Sequence, residues 1–201
     1  VNSSPKKKAS AKAPARTRRR SPISREEGER RLVDATIALL GERPISEIGV
    51  RDIAARADVN HGFVHTWFGG KNALLNRVMA ILLERVSDTV RSAPAGDLAA
   101  RPFDPDVQLV VRLVMWLALE GETSPASLTD AVVITALAER YRTVEGLSPG
   151  DAHIAAQQAV AIAVATVMYG PVVGVNSNED TMKVFGLWRR VLGLLAEHPS
   201  P

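Results

Sequence analysis

The chain has 201 residues, is 46% hydrophobic but only 4% aromatic, and contains no cysteine. That length allows one large or two small domains; the lack of cysteine excludes disulfides, thiolate catalysis and cysteine-ligated zinc. The formal net charge of +3 conceals an asymmetry: residues 1–25 hold nine Lys and Arg and no acid, leaving sixteen bases against 22 acids in the remainder.

Residues 1–23 read as a disordered basic tail suited to a polyanion such as nucleic acid. The tail has no apolar run of the secretory kind, while "PKKK" and "RTRRR" leave a basic address signal open. Ser24 with Glu27 three residues later forms a capping-box pattern opening a first helix, in which Val33, Ile37 and Leu40 recur at helical spacing. Gly41 and Pro44 stop it. A short second helix, "VRDIAARA" from Val50, turns Ile53, Ala54 and Ala57 inward, with Gly49 at its cap. Asp58 and Val59 form a turn, and Asn60 caps a third helix over His61–Phe68. "GG" at 69–70 breaks the chain before a fourth helix from Lys71 or Asn72 to about Arg91, striped by Leu74, Leu75, Val78, Leu82 and Val86.

Residues 92–106 form an irregular connection rich in Pro, Gly and Ala. Helices are predicted over 106–121, 126–143, 149–170 and 179–197, with Ser127, Ser148 and Asn178 near starts and Gly121, Gly146 and Gly170 near ends. The uncharged run 159–175 only reaches the lower edge of a membrane-spanning length. Gly170 and Pro171 interrupt it, so it reads as a buried helix. The last helix places Val184, Leu187, Trp188, Val191, Leu194 and Leu195 on one apolar face. The fold class is all-α, with a helix-turn-helix domain over 24–71 and a helical domain over 72–201.

Two short helices joined by a tight turn after a longer one make a helix-turn-helix. The crossing needs a small residue, and Ala54 supplies it. The turn needs left-handed backbone, which Asp58 tolerates better than most residues. Outward on the third helix are then His61, Gly62, His65 and Thr66, flanked by Phe63 and Trp67, with Phe68 turned to the core. His61 and His65 are four apart on one face, as in a helical metal site, but no third ligand and no H-E-x-x-H pattern accompanies them.

The stretch "VRDIAARADVNHGFVHTWFGGKNALL" resembles the DNA-binding domain of the tetracycline-repressor (TetR) family of bacterial transcription regulators. It departs from the family habit at Asp58 (a turn glycine), Asn60 (a capping serine), Phe63 (a small hydroxyl residue) and His65 (a tyrosine). The resemblance implies that Arg51 reads a base, that His61 and His65 face the groove, and that Trp67 and Lys71 touch phosphate, Lys71 aided by the amides opening its helix. With Asn60, Gly62, Phe63 and Thr66 these make the expected DNA surface. Residues 26–77 carry eight acids and seven bases, so the tail is expected to add backbone affinity.

The resemblance further implies a cytoplasmic homodimer joined through helices near 149–170 and 179–197, and an unknown small-molecule effector; the few charged residues in the body helices, Glu120, Asp130, Glu139 and Arg140 among them, favour an apolar or weakly polar compound. Met115, Trp116, Thr135, Met168 and Tyr169 are candidate lining residues because they are large or adaptable among many Ala and Val; plain core packing stays open for each. No cofactor, metal or membrane partner is expected. The absence of a nucleophile elbow, P-loop or paired-carboxylate motif argues against an enzyme. A second reading is a non-specific nucleic-acid or interaction protein driven by the tail.

The histidines generate the first prediction. Imidazolium favours a polyanion, and an ordinary histidine pKa lies at about 6.5, so DNA affinity rises as pH falls from about 8 to about 6. Fluorescence anisotropy on one duplex at constant salt reads the trend, and a flat profile contradicts a charge-carrying role for His65 in DNA binding.

Overall fold

The computed structural model describes residues 23–94, 101–121 and 132–197, and among these residues every regular element is helical. The expected tail, Ser127 and the middle of the 92–106 connection lie outside the described residues. Helix α1 spans Arg25–Glu42 and starts where Ser24 Oγ accepts the Glu27 N–H at 3.2 Å. The reciprocal half of the expected capping box does not form, because the Glu27 carboxylate accepts from Arg31 Nε at 2.7 Å and from Arg30 at 2.8 Å instead. The guanidinium donors carry a full positive charge that a backbone amide lacks. The helix buries Leu32, Val33, Ala35, Thr36, Leu39 and Leu40, and Arg43 ends it in extended backbone.

A turn of 3-10 helix at Ile45–Glu47 leads into α2, Val50–Ala57. Gly49 has no side chain to cap α2, but Asp52 supplies half a cap by accepting the Gly49 N–H at 2.8 Å. Ile53, Ala54 and Ala57 are buried as expected. Asp58 takes the left-handed conformation at φ 56° and ψ 43°, while the Val59 N–H returns to the Ala54 carbonyl at 3.0 Å. Asn60 caps the next turn through Oδ1, which accepts from Gly62 N–H at 2.8 Å. The expected third helix is present, but its body α3, Val64–Phe68, is wound as a π-helix, entered by tight three-residue bonds from Phe63 to Asn60 and from Val64 to His61. Gly69, at φ 91°, closes it.

Helix α4, Lys71–Ser92, contributes to two apolar cores. Its first half sets Leu74, Leu75, Val78, Met79 and Leu82 among Leu32, Leu40, Ile53 and Val64 of the head. Helix α5, Pro105–Leu119, adds Leu109, Leu113 and Leu117 to that cluster. The core of the head therefore continues past residue 71. Farther along α4, Val90 joins a second core with Ile134, Leu137 and Tyr141 of α6, Val132–Val144, and with the alanine face of α7, Pro149–Tyr169.

The buried Arg140 guanidinium clamps the end of α4, donating to the carbonyls of Ala93 at 2.7 Å and Pro94 at 2.6 Å. Two hydrogen bonds from one cation satisfy the carbonyls of the two residues that follow the helix. Ser148 caps α7 by accepting the Asp151 N–H at 3.2 Å. A 3-10 turn at Gly170–Val173 follows, and Ser177 caps α8, Asn178–Glu197, which starts at Asn178 as expected.

Helix α7 is buried along one face and open along the other. With its 3-10 extension it is long and apolar enough to cross a membrane by length and composition, yet only 22% of the most apolar window is buried. It packs Ala152, Ala155, Ala156 and Ala159 inward and leaves Ile154, Met168 and Tyr169 exposed. Helix α8 likewise buries Thr181, Phe185 and Leu192 and exposes Val184, Leu187, Val191 and Leu194.

Left-handed backbone at Asp58 yields a prediction for the head. A β-branched residue there costs about 1–3 kcal/mol of stability, because its Cβ crowds the following carbonyl. Asp58→Val should therefore lower the thermal midpoint, whereas Asp58→Gly should match or exceed the wild type. Equal midpoints for all three would contradict a strained turn.

Candidate nucleic-acid interface

The outer surface of the head is built by the N-terminus of α2, the Asn60 cap and the turns of α3. Arg51, Asn60, His61, His65 and Thr66 are exposed together, with Gly62 half-buried among them. Asn60 Oδ1 is committed to the cap, and a Cβ at position 62 would lie 3.2 Å from that oxygen. Glycine at 62 thus keeps the cap as well as removing bulk from the face. The Thr66 hydroxyl donates to the Gly62 carbonyl at 3.1 Å.

Charge on the head is unevenly committed. Arg30 pairs with Glu27 and Asp34, Arg31 with Glu27, and Arg56 with Glu42 across two helices. Hydrogen bonds from Arg31 and Arg30 hold the Glu27 carboxyl below the usual range, and the Arg56 bond does the same to Glu42. Among the described residues Arg51 enters no ion pair and points from the first turn of α2 to solvent. An unpaired, exposed guanidinium retains its five donors for a planar acceptor such as guanine or phosphate.

Phe63 and Trp67 are packed more tightly than their expected flanking positions imply. Both are half-buried against the head core, and their rings stack with centroids 4.1 Å apart and an interplanar angle of 10°. The far edge of the Trp67 indole lies on the backbone of α1 at Gly28. A Cβ there would fall 2.5 Å from Trp67 Cη2 and from Cζ3. These atoms belong to the six-membered ring, on the side remote from Nε1. Gly28 was not among the residues singled out; the available signal was a glycine inside an otherwise regular helix pattern, which commonly marks close packing.

Lys71, the other expected phosphate contact, stands at the margin of this surface. Its ammonium is folded inward, donating to the Ile45 carbonyl at 3.1 Å and standing 5.3 Å from the centroid of Trp116. Burial pushes its pKa down, against a smaller upward influence from Glu120. Gly70, which precedes α4, offers no side-chain cap, so Lys71 stands at a helix start without side-chain capping.

A separate cavity of about 270 Å³ lies among α4, α5, α6 and α7, walled by aliphatic residues including Val86, Val110, Val111, Val114, Ile134, Leu137 and Val164. Arg101 is the one charged residue among its described lining. None of Met115, Trp116, Thr135, Met168 and Tyr169 lines it. Trp116 instead packs against the head core, Met115 is half-buried, Thr135 is exposed beside His153, and Met168 and Tyr169 are exposed on α7. Branched aliphatic residues, repeated too often in this sequence to stand out, form the walls.

The left-handed turn between two short helices, the exposed polar face of α3 and the all-helical body define a helix-turn-helix DNA-binding regulator. Comparison with known proteins agrees. The profile "Bacterial regulatory proteins, tetR family" matches residues 32–78. The HTH-type transcriptional repressor Rv3405c of Mycobacterium tuberculosis is 30% identical over 145 residues, covering 72% of this chain and 77% of that protein. In fold, the chain is similar to Salmonella enterica GusR (TM-score 0.59, 17% identity, covering 85% of this chain and 95% of GusR). A TetR-family regulator from Streptomyces coelicolor gives a TM-score of 0.54 at 22% identity, covering 83% and 98% of the two chains. The chain belongs to the TetR family of DNA-binding transcriptional regulators, which are not enzymes.

The Gly28 contact yields a signed prediction. Gly→Ala inside a helix ordinarily stabilises by about 0.5–1 kcal/mol. Here the added methyl overlaps an aromatic ring, and overpacking costs about 1–3 kcal/mol. The clash should win: Gly28→Ala lowers the thermal midpoint and weakens DNA binding, and Trp67→Phe in the same chain restores part of both. A raised midpoint would show that Trp67 is not seated there.

Proposed function

We propose that this regulator is a homodimeric repressor that an apolar or weakly polar small molecule releases from its operator. The observation that carries the ligand reading is the aliphatic cavity enclosed partly by α4, whose first turn adjoins the DNA face. A ligand shifts an equilibrium only by binding one arrangement better than another. A cavity walled by the helix that also forms the head core has the means to do so. Branched aliphatic walls favour a hydrocarbon portion, because any polar group set among them loses hydrogen bonds to water without recovering them.

The exposed face of α7 and α8 supports the dimer. Leu187 is 62% exposed and Leu194 61%, with Val184, Val191 and Ile154 also open to solvent. Contiguous apolar surface of this kind marks an interface more often than bare solvent contact, and a second copy presents the same surface through a twofold axis. Two heads on one axis then meet two half-sites on a duplex. In this reading Arg51, His61, His65 and Thr66 face the groove, and the Trp67 N–H end meets the backbone.

The experiment is anisotropy on a duplex selected by the protein from random-sequence DNA, paired with sedimentation velocity. The expected outcome is a particle of two chains, a preference of about a thousandfold or more over scrambled duplex, and release by medium-chain alkanols but not by glycerol. Release by neither class contradicts the ligand reading. A single-chain particle contradicts the dimer.

A further inference from the structure

We propose that Lys71 is a two-position switch, whose inward position against the Ile45 carbonyl and the face of Trp116 withholds its ammonium from the DNA backbone. The proposal rests on the family's DNA-binding activity. Lys71 opens α4 directly after the Gly69–Gly70 break, and a Cβ on Gly70 would stand 3.9 Å from His65 Nδ1. The backbone of Lys71 is therefore at the margin of the exposed histidine face. Its ammonium is nevertheless turned away, held by the carbonyl at 3.1 Å and the indole at 5.3 Å.

Both inward partners are uncharged, and the Glu120 carboxylate favours the charged ammonium there by less than burial disfavours it. An ammonium has three donors on a flexible four-carbon stem, and an indole face attracts it without neutralising it. Burial disfavours the charged form in this position, so a solvated phosphate is a competitive alternative partner. Rotation about the side-chain torsions exchanges one position for the other without moving α4. The DNA-bound protein gains one backbone contact and loses the indole contact, and the strength of the inward position subtracts from DNA affinity.

Trp116 gives the switch a connection to the cavity. It sits on α5 two residues beyond Val114, and α5 also carries Val107, Val110 and Val111 on the cavity wall. A shift of α5 on filling the cavity changes the distance between the indole and the ammonium. Trp116 thereby acts as a positioning residue for Lys71, not as a DNA contact.

A double-mutant cycle tests this on the dimeric full chain, with a duplex selected by the wild type. Replacing Trp116 by Leu removes the aromatic face, and replacing Lys71 by Met removes the charge at similar bulk. Trp116→Leu should tighten DNA binding about threefold to tenfold and Trp116→Phe by less. Neither should change affinity when Lys71→Met is also present. Lys71→Met alone should weaken binding and lower the slope of log affinity against log salt by about one. The switch is overturned if Trp116→Leu and Trp116→Phe leave affinity unchanged or weaken it, or if they act equally with and without Lys71. Failure of the wild type to prefer any duplex would overturn the DNA-binding reading, and the switch with it.

Discussion

The reading head depends on the seating of the Trp67 indole against the bare backbone of α1 at Gly28. A helix of five residues makes too few hydrogen bonds to hold its own orientation. Orientation has to come from side chains, and Val64 plus the stacked Phe63 and Trp67 pin α3 from beneath. An α1 residue with a side chain at position 28 would displace the indole and, through the ring stack, the face that carries His61 and His65. The π-helical winding belongs to the same arrangement: a widened turn at a functional surface persists because packing overrides the preference for α-helix.

Packing also explains how a distant cavity can concern the head. Helices α4 and α5 each contribute leucines to the head core and valines to the cavity wall. Cores packed at crystal-like density transmit displacement between rigid elements. The Arg140 clamp on the carbonyls of Ala93 and Pro94 fixes the far end of α4 to α6. Helix α4 is thus held at one end by the second core and at the other by the head, with Lys71 as its first residue.

Much of this was legible in the sequence where the physics is local. The left-handed turn at Asp58, the Asn60 cap, the bounds of α2 and the caps at Ser24 and Ser148 follow from backbone sterics and from nearby donors and acceptors. Features set by contacts distant in sequence were not legible. Glu27 is drawn from its capping role by arginines whose geometry only the folded helix shows. The docking of Lys71 brings together residues 45, 71 and 116. The cavity lining falls on valines and alanines that repeat throughout the chain, so size and rarity pointed to Met115, Trp116, Thr135, Met168 and Tyr169, which lie elsewhere. Apolar periodicity along α7 and α8 marks a face without saying which residues its own chain covers, so the split between covered and open positions needed the folded chain.

In the proposed function a head spanning the start of α2 to the start of α4 meets DNA as one rigid surface. Hydrogen–deuterium exchange with and without a selected duplex tests it most directly. Added protection should concentrate in residues 50–72 and extend to α1 around Gly28, because Trp67 couples the two. Protection confined to residues outside the head, with 50–72 unchanged, would contradict it.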